Sequence, residues 1–210
     1  AYYPGRRGFL RELADIEARW ADGRKADVVE IRKDFVELRR RALIANPLVS
    51  GWPILYVVRG QYRADHHNTA TMFVTGEINT GSFKGGGVLK AIDLMKGGAV
   101  RTLLQTSAGL IRDPEVHFNG DRIVFSMRRD IRDDYHIYEI NADGTGLKQL
   151  TSAAGVADFD PLYLPDGGIV FSSTREPKFC MCNRHIMGNL FRMDGDGANH
   201  GLVGSACNAS

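Results

Sequence analysis

Two patterns of hydrophobic spacing divide the chain. In the first fifty residues, apolar positions recur at intervals of three and four, once from Leu10 to Trp20 and again from Val28 to Ala42. This spacing predicts two amphipathic helices. Asp22-Gly23 separates them, and Asn46-Pro47 ends the second because the residue before a proline is disfavoured in the α region. We therefore expect an N-terminal helical segment, residues 1–50, forming a short hairpin packed against the rest of the chain.

After Pro53 the pattern changes to short β-branched and aromatic runs between Gly, Asn and Asp, which is typical of strands and turns. The run DPEVHFNGDRIVFSMR, from Asp113, returns 47 residues later as DPLYLPDGGIVFSST, from Asp160. Asn119-Gly120 and Asp166-Gly167 hold matching positions and predict hairpin turns that need positive φ. Both copies continue into a further strand closed by an Asp-Gly turn.

A degenerate earlier copy of this repeat runs from Ile54 to Leu94. Repeated antiparallel units of about 40–50 residues are typical of β-propeller blades. The sequence thus predicts an all-β fold after the helical hairpin: a partial β-propeller over 51–210, with about three blades at approximately 54–104, 113–151 and 160–204. Propellers close with about four to eight blades, and a three-blade arc leaves sheet faces exposed. We therefore expect a fragment of a longer propeller.

Composition and charge exclude some function classes. The 210 residues are 43% hydrophobic and 25% charged, which are ordinary globular proportions. The net charge is +2, and acidic residues separate the basic ones, so no electrostatic footprint for nucleic-acid binding is present. No apolar run approaches about 18 residues, and no signal-peptide pattern is visible, so the sequence predicts no membrane span. Cysteines number three, an odd count that leaves the redox compartment open.

Candidate metal ligands are concentrated in two loops. One carries His66 and His67 after the first strand of blade one, and the other carries Cys180, Cys182 and His185 in blade three. Zinc prefers four tetrahedral thiolate or imidazole ligands, and the second group with His66 or His67 makes such a set. A closed shell would be structural, whereas an open position could activate water or hold substrate. Copper and haem iron use the same donors.

The alternative interpretation is that these cysteines are small buried apolar residues and that these histidines only form hydrogen bonds. Loops after equivalent strands of successive blades emerge on the same rim of a propeller, which favours one joint site. Blade two separates blades one and three, however. The two clusters can meet only where the long loops lean inward over the central channel.

The corresponding loop of blade two carries Asp130, Asp133, Asp134 and His136. Asp133-Asp134 resembles a carboxylate pair for acid or base chemistry, but neighbouring carboxylates on a loop are more often simply solvated, and we expect no catalysis there.

An arginine follows the equivalent strand of each blade, namely Arg59, Arg128 and Arg175. Recurrence in every blade favours a structural role, in which each pairs with an acidic residue of a neighbouring blade, over contact with an anionic ligand in the channel.

The repeat pattern, with its Asp-Pro start, I-V-F-S strand and Asp-Gly turns, resembles the TolB-type, WD40-like propeller repeat. Four longer runs are more particular: QYRADHHNTATMF, GEINTGSFKGGGVLKAIDL, RDPEVHFNGDRIVFSMRRD and STREPKFCMCNRHIMGNLFRMDGDGAN. Together, over roughly residues 50–204, they resemble the propeller of proteins related to the hydrazine synthase alpha subunit. This resemblance implies an exported, periplasmic bacterial protein in which the propeller meets other domains or subunits.

In hydrazine synthase, c-type haems carry the chemistry. This chain contains no C-x-x-C-H, so the resemblance does not extend to hydrazine synthesis. The sequence favours a propeller platform with a Cys/His metal site on one rim. Two alternatives remain open: a TolB-like protein-interaction module without metal, and part of a haem-dependent redox enzyme whose haem domain lies outside this chain. Whether the protein is an enzyme is also open.

Overall fold

The structure is a computed structural model that describes residues 3–22, 28–60, 83–179 and 186–203, with only the backbone described for 177–179 and 186–187. Contacts divide the chain into two compact units. The first comprises Ala1–Ile54 with Ala91–Val100, and the second comprises Leu55–Lys90 with Arg101–Ser210. The domain boundaries expected from the sequence stay a prediction.

The N-terminal helices form the expected hairpin. Helix α1 spans Arg6–Ala21, α2 spans Val28–Ala45, and a single-turn helix α3 spans Pro47–Ser50. Ile16 of α1 packs against Ile31 and Leu38 of α2, and ion pairs such as Arg19 with Asp34 flank this small core.

The second helix ends where the sequence predicts, and the reason is visible at Asn46. Its backbone is extended and its side chain accepts a hydrogen bond from the Leu48 N–H, so it caps α3, which begins with Pro47. Asn46-Pro47 therefore both ends α2 and starts α3, and the hydrophobic pattern did not indicate this second helix start. Leu10 and Trp20 of the predicted apolar stripe are more than half exposed.

Three antiparallel sheets follow, each with its strands in sequence order. Blade one consists of β1 (Ile54–Arg59), β2 (Gly87–Asp93) and β3 (Ala99–Thr106). Blade two consists of β4 (Leu110–Val116), β5 (Arg122–Arg128), β6 (His136–Asn141) and β7 (Lys148–Gln149). Blade three consists of β8 (Asp158–Tyr163), β9 (Ile169–Phe179), β10 (Ile186–Met193) and β11 (Gly201–Leu202). These sheets after a helical hairpin confirm the expected fold class.

Blades two and three pack face to face through one apolar core. Burial of each large side chain in such a core contributes about 1.5–3 kcal/mol. Blade two contributes Val124, Ile137 and Leu150, and blade three contributes Tyr163, Ile169, Phe171, Phe191 and Met193.

The repeat fixes two backbone features at equivalent places. Gly120 and Gly167 take φ of 73° and 85° in the predicted turns, and there the glycine alone supplies the positive φ. Asp113 and Asp160 also have positive φ, 51° and 57°, and each lies where the pairing of the blade's first two strands shifts register. The recurring Asp-Pro therefore marks a left-handed bulge, since aspartate tolerates this conformation better than most residues.

Candidate functional site

One edge of the second unit collects the residues that are candidates for function. Here β4 begins opposite the end of β5, with Leu110 paired to Arg128, and β8 begins opposite the middle of β9, with Asp158 paired to Ser173. The Asp158 N–H donates to the Tyr135 carbonyl and so ties the start of blade three to the loop of blade two. We call this region the shared edge.

Two guanidinium groups alternate with three aromatic rings at the shared edge. Arg128 lies 4.8 Å from the ring centre of Phe83 and 5.5 Å from that of Tyr135. Arg112 lies 5.6 Å from Tyr135 and 5.7 Å from Phe159. We call these five residues the arginine–aromatic stack. Such contacts contribute about 2 kcal/mol each when they are shielded from water, so the stack stabilises this edge.

Arg128 also fixes the loop that follows β5. Its side chain is 1% exposed, and it donates to the carbonyl oxygens of Asp130, at 3.1 Å, and Ile131, at 2.8 Å. The Asp130 carboxylate in turn accepts hydrogen bonds from the backbone N–H groups of Arg132 and Asp133. The arginine therefore serves the conformation of its own loop.

Arg175 has a different partner. It forms a 2.8 Å ion pair with Asp158, which is fully buried on the adjacent strand of the same blade. The expected pairing with a neighbouring blade is thus wrong for Arg175. Arg59 is exposed at the end of β1.

The two arginines are also not equivalent by position. Strand pairing aligns Val124 with Val170, which places Arg128 at the position of Thr174 and Arg129 at that of Arg175. Blade two carries one more residue than blade three in the turn before this strand, and that insertion shifts the apparent sequence repeat.

The carboxylates of the blade-two loop have structural partners. Asp133 pairs with Arg129 at 3.0 Å, and Asp134 accepts a hydrogen bond from the Gly155 N–H at 3.0 Å. Burial opposes ionisation of Asp133, but the hydrogen bonds from Arg129 outweigh it and lower the pKa of this carboxyl. His136 is buried in β6 rather than presented on the loop.

The five predicted metal ligands, His66, His67, Cys180, Cys182 and His185, lie outside the described residues. Within the described ranges, no group of three or more His, Cys, Asp or Glu side chains is arranged to hold a metal ion. The site predicted from the sequence therefore stays a prediction.

The described residues do fix where the ligand-bearing segments join the fold. Phe83, the first described residue after His66 and His67, belongs to the arginine–aromatic stack and packs on a buried cluster that includes Ala157 of blade three. At its other end the same segment leaves from Gly60, which lies beside Lys84. The cysteine-bearing segment leaves from Phe179 and returns at Ile186, which are paired in the β9–β10 ladder.

The sequence signal for the stack was present but was not recognised. Phe83 follows the histidine segment, while Arg112 and Phe159 stand directly before the two Asp-Pro bulges. The repeat therefore marks the position, although an arginine occupies it in one blade and a phenylalanine in the other. Side chains that exchange type in this way are invisible to a search for identical residues.

Three consecutive antiparallel sheets, one of three strands and two of four, define this chain as a β-propeller module, and the two four-stranded sheets pack face to face. No family model matches the sequence, and no curated protein is similar to it. In the part of the chain that the structure describes, no helix is long and apolar enough to cross a membrane.

Among solved structures, the chain is similar to TolB proteins and to hydrazine synthase. For a TolB-type protein of Agrobacterium tumefaciens the identity is 18%, the TM-score 0.43, and coverage 59% of this chain and 46% of that one. For TolB of Acinetobacter baumannii the identity is 16% and the TM-score 0.41, and the match covers 55% of this chain and 26% of that one. For hydrazine synthase of Kuenenia stuttgartiensis the identity is 18% and the TM-score 0.48, and the match covers 68% of this chain and 21% of that one. The chain thus spans less than half the length of each of these proteins.

Proposed function

We propose that this propeller is the platform of a larger, exported bacterial protein and that its shared edge carries a zinc site. Cys180, Cys182 and His185 would supply two thiolates and one imidazole, and His66 or His67 would supply the fourth ligand. This donor set matches the tetrahedral sulfur and nitrogen coordination that zinc prefers. The zinc would tie the long insertion of blade one to the hairpin of blade three.

The observation that carries this proposal is the position of Phe83. Blade two lies between blades one and three in sequence, so the two ligand groups need a path across it. Phe83, at one end of the histidine segment, spans blade two, because it packs on Arg128 of blade two and on the cluster that contains Ala157 of blade three. The segment that bears the histidines therefore rejoins the described fold, at Phe83, beside the junction of blades two and three.

The length of β9 also supports a joint site. Its pairing with β8 ends at Ser173, while its pairing with β10 continues to Phe179. Between those two ends β10 advances three residues, from Asn189 to Ile186, because β9 bulges there, so at about 3.3 Å per residue the ladder carries the cysteine segment about 10 Å beyond the end of the β8 pairing. The histidine segment, which can extend by about 3.3–3.6 Å per residue, is long enough to reach that distance.

A closed shell of protein ligands would make the zinc structural, whereas loss of one ligand to water would allow it to activate that water. The residues of this chain would orient the metal through the arginine–aromatic stack and the Arg175–Asp158 pair, which hold the bases of the two segments.

Metal analysis of the purified full-length protein tests the proposal. We expect about one zinc per chain, and we expect Cys180→Ala, Cys182→Ala and His185→Ala to lose it. Cys207→Ala and His200→Ala are matched controls, because they remove a thiol and an imidazole that do not belong to the proposed set.

Each outcome has a distinct meaning. Zinc retained in both His66→Ala and His67→Ala would contradict the joint site and leave a site in blade three alone. Absence of stoichiometric metal in the unmodified protein would contradict the zinc proposal and favour the interaction module of the TolB type. Haem absorbance in the full-length protein would favour the redox enzyme instead.

A further inference from the structure

Helix α2 carries a second row of aliphatic residues, on the side that points away from α1. This row has one member every seven residues, namely Val29, Val36 and Leu43. They are 79%, 44% and 56% exposed. Ile31 and Leu38 face α1, since they belong to the core of the hairpin. With 3.6 residues per turn, the exposed row points on average about 150° away from these two core residues.

Cations flank the aliphatic row on both sides. Arg32 and Arg39 lie along one side of the row and Lys33 and Arg40 along the other, because each stands three or four residues from a member of the row. All four side chains are exposed. Among the described residues, Arg32, Lys33 and Arg39 form no ion pair, and Arg40 lies 3.7 Å from Glu37. An exposed pair of this kind contributes little, so Arg40 can exchange its partner.

The carboxylates of α2 lie outside this surface. Asp34 turns toward α1, where it pairs with Arg19 at 2.6 Å. Glu30 and Glu37 lie about 80–100° around the helix from Val29, beyond the side that Lys33 and Arg40 occupy. The surface therefore presents four positive charges and no negative one. We call the three aliphatic residues and the four flanking cations the basic–aliphatic face.

We propose that the basic–aliphatic face docks on a bilayer surface rich in anionic phospholipid. The phosphate groups of the lipids would pair with the four cations, and the aliphatic row would enter the boundary between headgroups and acyl chains. The long arginine and lysine stems can lie along the apolar row while their charged ends stay at the headgroups. Leu48 and Trp52, which follow α2 in the same compact unit, are 94% and 84% exposed and offer further apolar contact.

The pattern of the face favours a bilayer over three other occupants. A helical partner would need apolar residues at two positions of each heptad, but here only one of the two is apolar and the other is basic. A second copy of the same face would bring four cations against four cations. Nucleic acid would pair with the cations but would leave the aliphatic row exposed.

Vesicle sedimentation of the full-length protein tests this inference, which does not depend on the zinc site. Vesicles of equal parts phosphatidylglycerol and phosphatidylcholine are compared with vesicles of phosphatidylcholine alone. We expect the protein to sediment with the first kind and not with the second. Each cation near an anionic surface contributes about fivefold in affinity, so Arg39→Gln with Arg40→Gln should lower the partition coefficient by roughly 25-fold. Val36→Ser with Leu43→Ser should lower it by about tenfold at unchanged charge.

The double variant Arg7→Gln with Arg11→Gln is the matched control. It removes the same charge from the same hairpin, but from the side of α1 that lies opposite Ile16 and so faces away from α2. It should change the partition coefficient by less than about twofold, since charges on the far side of the hairpin are screened. Circular dichroism of each variant checks that the helices are intact.

Three results would overturn the proposal. The first is equal sedimentation with the two kinds of vesicle. The second is an equal loss in the control variant and in the variant of Arg39 and Arg40. The third is unchanged binding after Val36→Ser with Leu43→Ser, because a face that recognises charge alone, as on nucleic acid or an acidic protein, does not need the aliphatic row.

Discussion

The contact between Tyr163 and Glu139 gives the sharpest test of how blades two and three pack. The Tyr163 hydroxyl donates to the Glu139 carboxylate at 2.8 Å, and Arg122 supports that carboxylate at 3.1 Å. Tyr163 is 7% exposed. A hydrogen bond to a charged partner contributes about 1.5–3 kcal/mol net. Because Glu139 keeps Arg122, we expect Tyr163→Phe to lower the free energy of unfolding by about 1–2 kcal/mol.

Urea unfolding, followed by circular dichroism, measures this change. Tyr138→Phe is a matched control, because the Tyr138 hydroxyl is buried and finds no hydrogen-bond partner among the described residues, so its removal should be neutral or stabilising. A double-mutant cycle with Glu139→Ala should show a coupling of about 1 kcal/mol. A coupling within about 0.3 kcal/mol of zero, or equal effects of the two tyrosine variants, would refute the inter-blade contact.

The same pair predicts a pH dependence. Burial and the hydrogen bond to Glu139 raise the pKa of Tyr163 above its ordinary value. The phenol is therefore protonated in the folded protein where the unfolded chain, with a tyrosine pKa of about 10, begins to ionise. Its contribution to stability is full below about pH 10 and declines above it by up to about 1.4 kcal/mol per pH unit. Relative to the unmodified protein, Tyr163→Phe should show a shallower loss of stability between about pH 9 and 11.

Two further substitutions test local features of the blades, both through the shift of the urea midpoint. Asp158→Ala should lower the free energy of unfolding by about 3–5 kcal/mol, because it leaves Arg175 as an unpaired, largely buried charge. The double variant Asp158→Ile with Arg175→Met should recover most of this loss, because an isoleucine, Ile111, holds the position of Asp158 in blade two. An equal loss in both would contradict this. Gly155→Ala, with φ of 70° and open space around it, should cost about 1 kcal/mol. Gly197→Ala should cost at least about twice as much, since its methyl group would also meet a carbonyl of the preceding blade; equal costs would mean that the blades do not approach there.

Local sequence signals predicted the elements well, because turn chemistry acts over a few residues. Asn46-Pro47 marks the end of α2, and the glycines of the Asp-Gly and Asn-Gly turns take the expected positive φ. The bulges at Asp113 and Asp160 also depend on neighbouring residues alone, and the recurring Asp-Pro dipeptide marks them in the sequence.

Contacts between blades were harder to predict, because they depend on a register that a single inserted residue changes. The extra residue in the turn before β5 made Arg128 and Arg175 look equivalent, although strand pairing aligns Arg128 with Thr174. The arginine–aromatic stack was missed for a related reason. It joins Phe83, Arg128 and Phe159 from three different blades, and only the packed fold brings them together.

Nuclear Overhauser effects between methyl groups test the face-to-face packing of the blades most directly. The full-length protein would be labelled at the methyl groups of Ile, Leu, Val and Met. Face-to-face packing predicts cross-peaks from Val124, Ile137 or Leu150 of blade two to Ile169 or Met193 of blade three, because these side chains share one buried core. Cross-peaks from the blade-two methyl groups only to residues of their own sheet would contradict the packing of successive blades, and with it the shared edge.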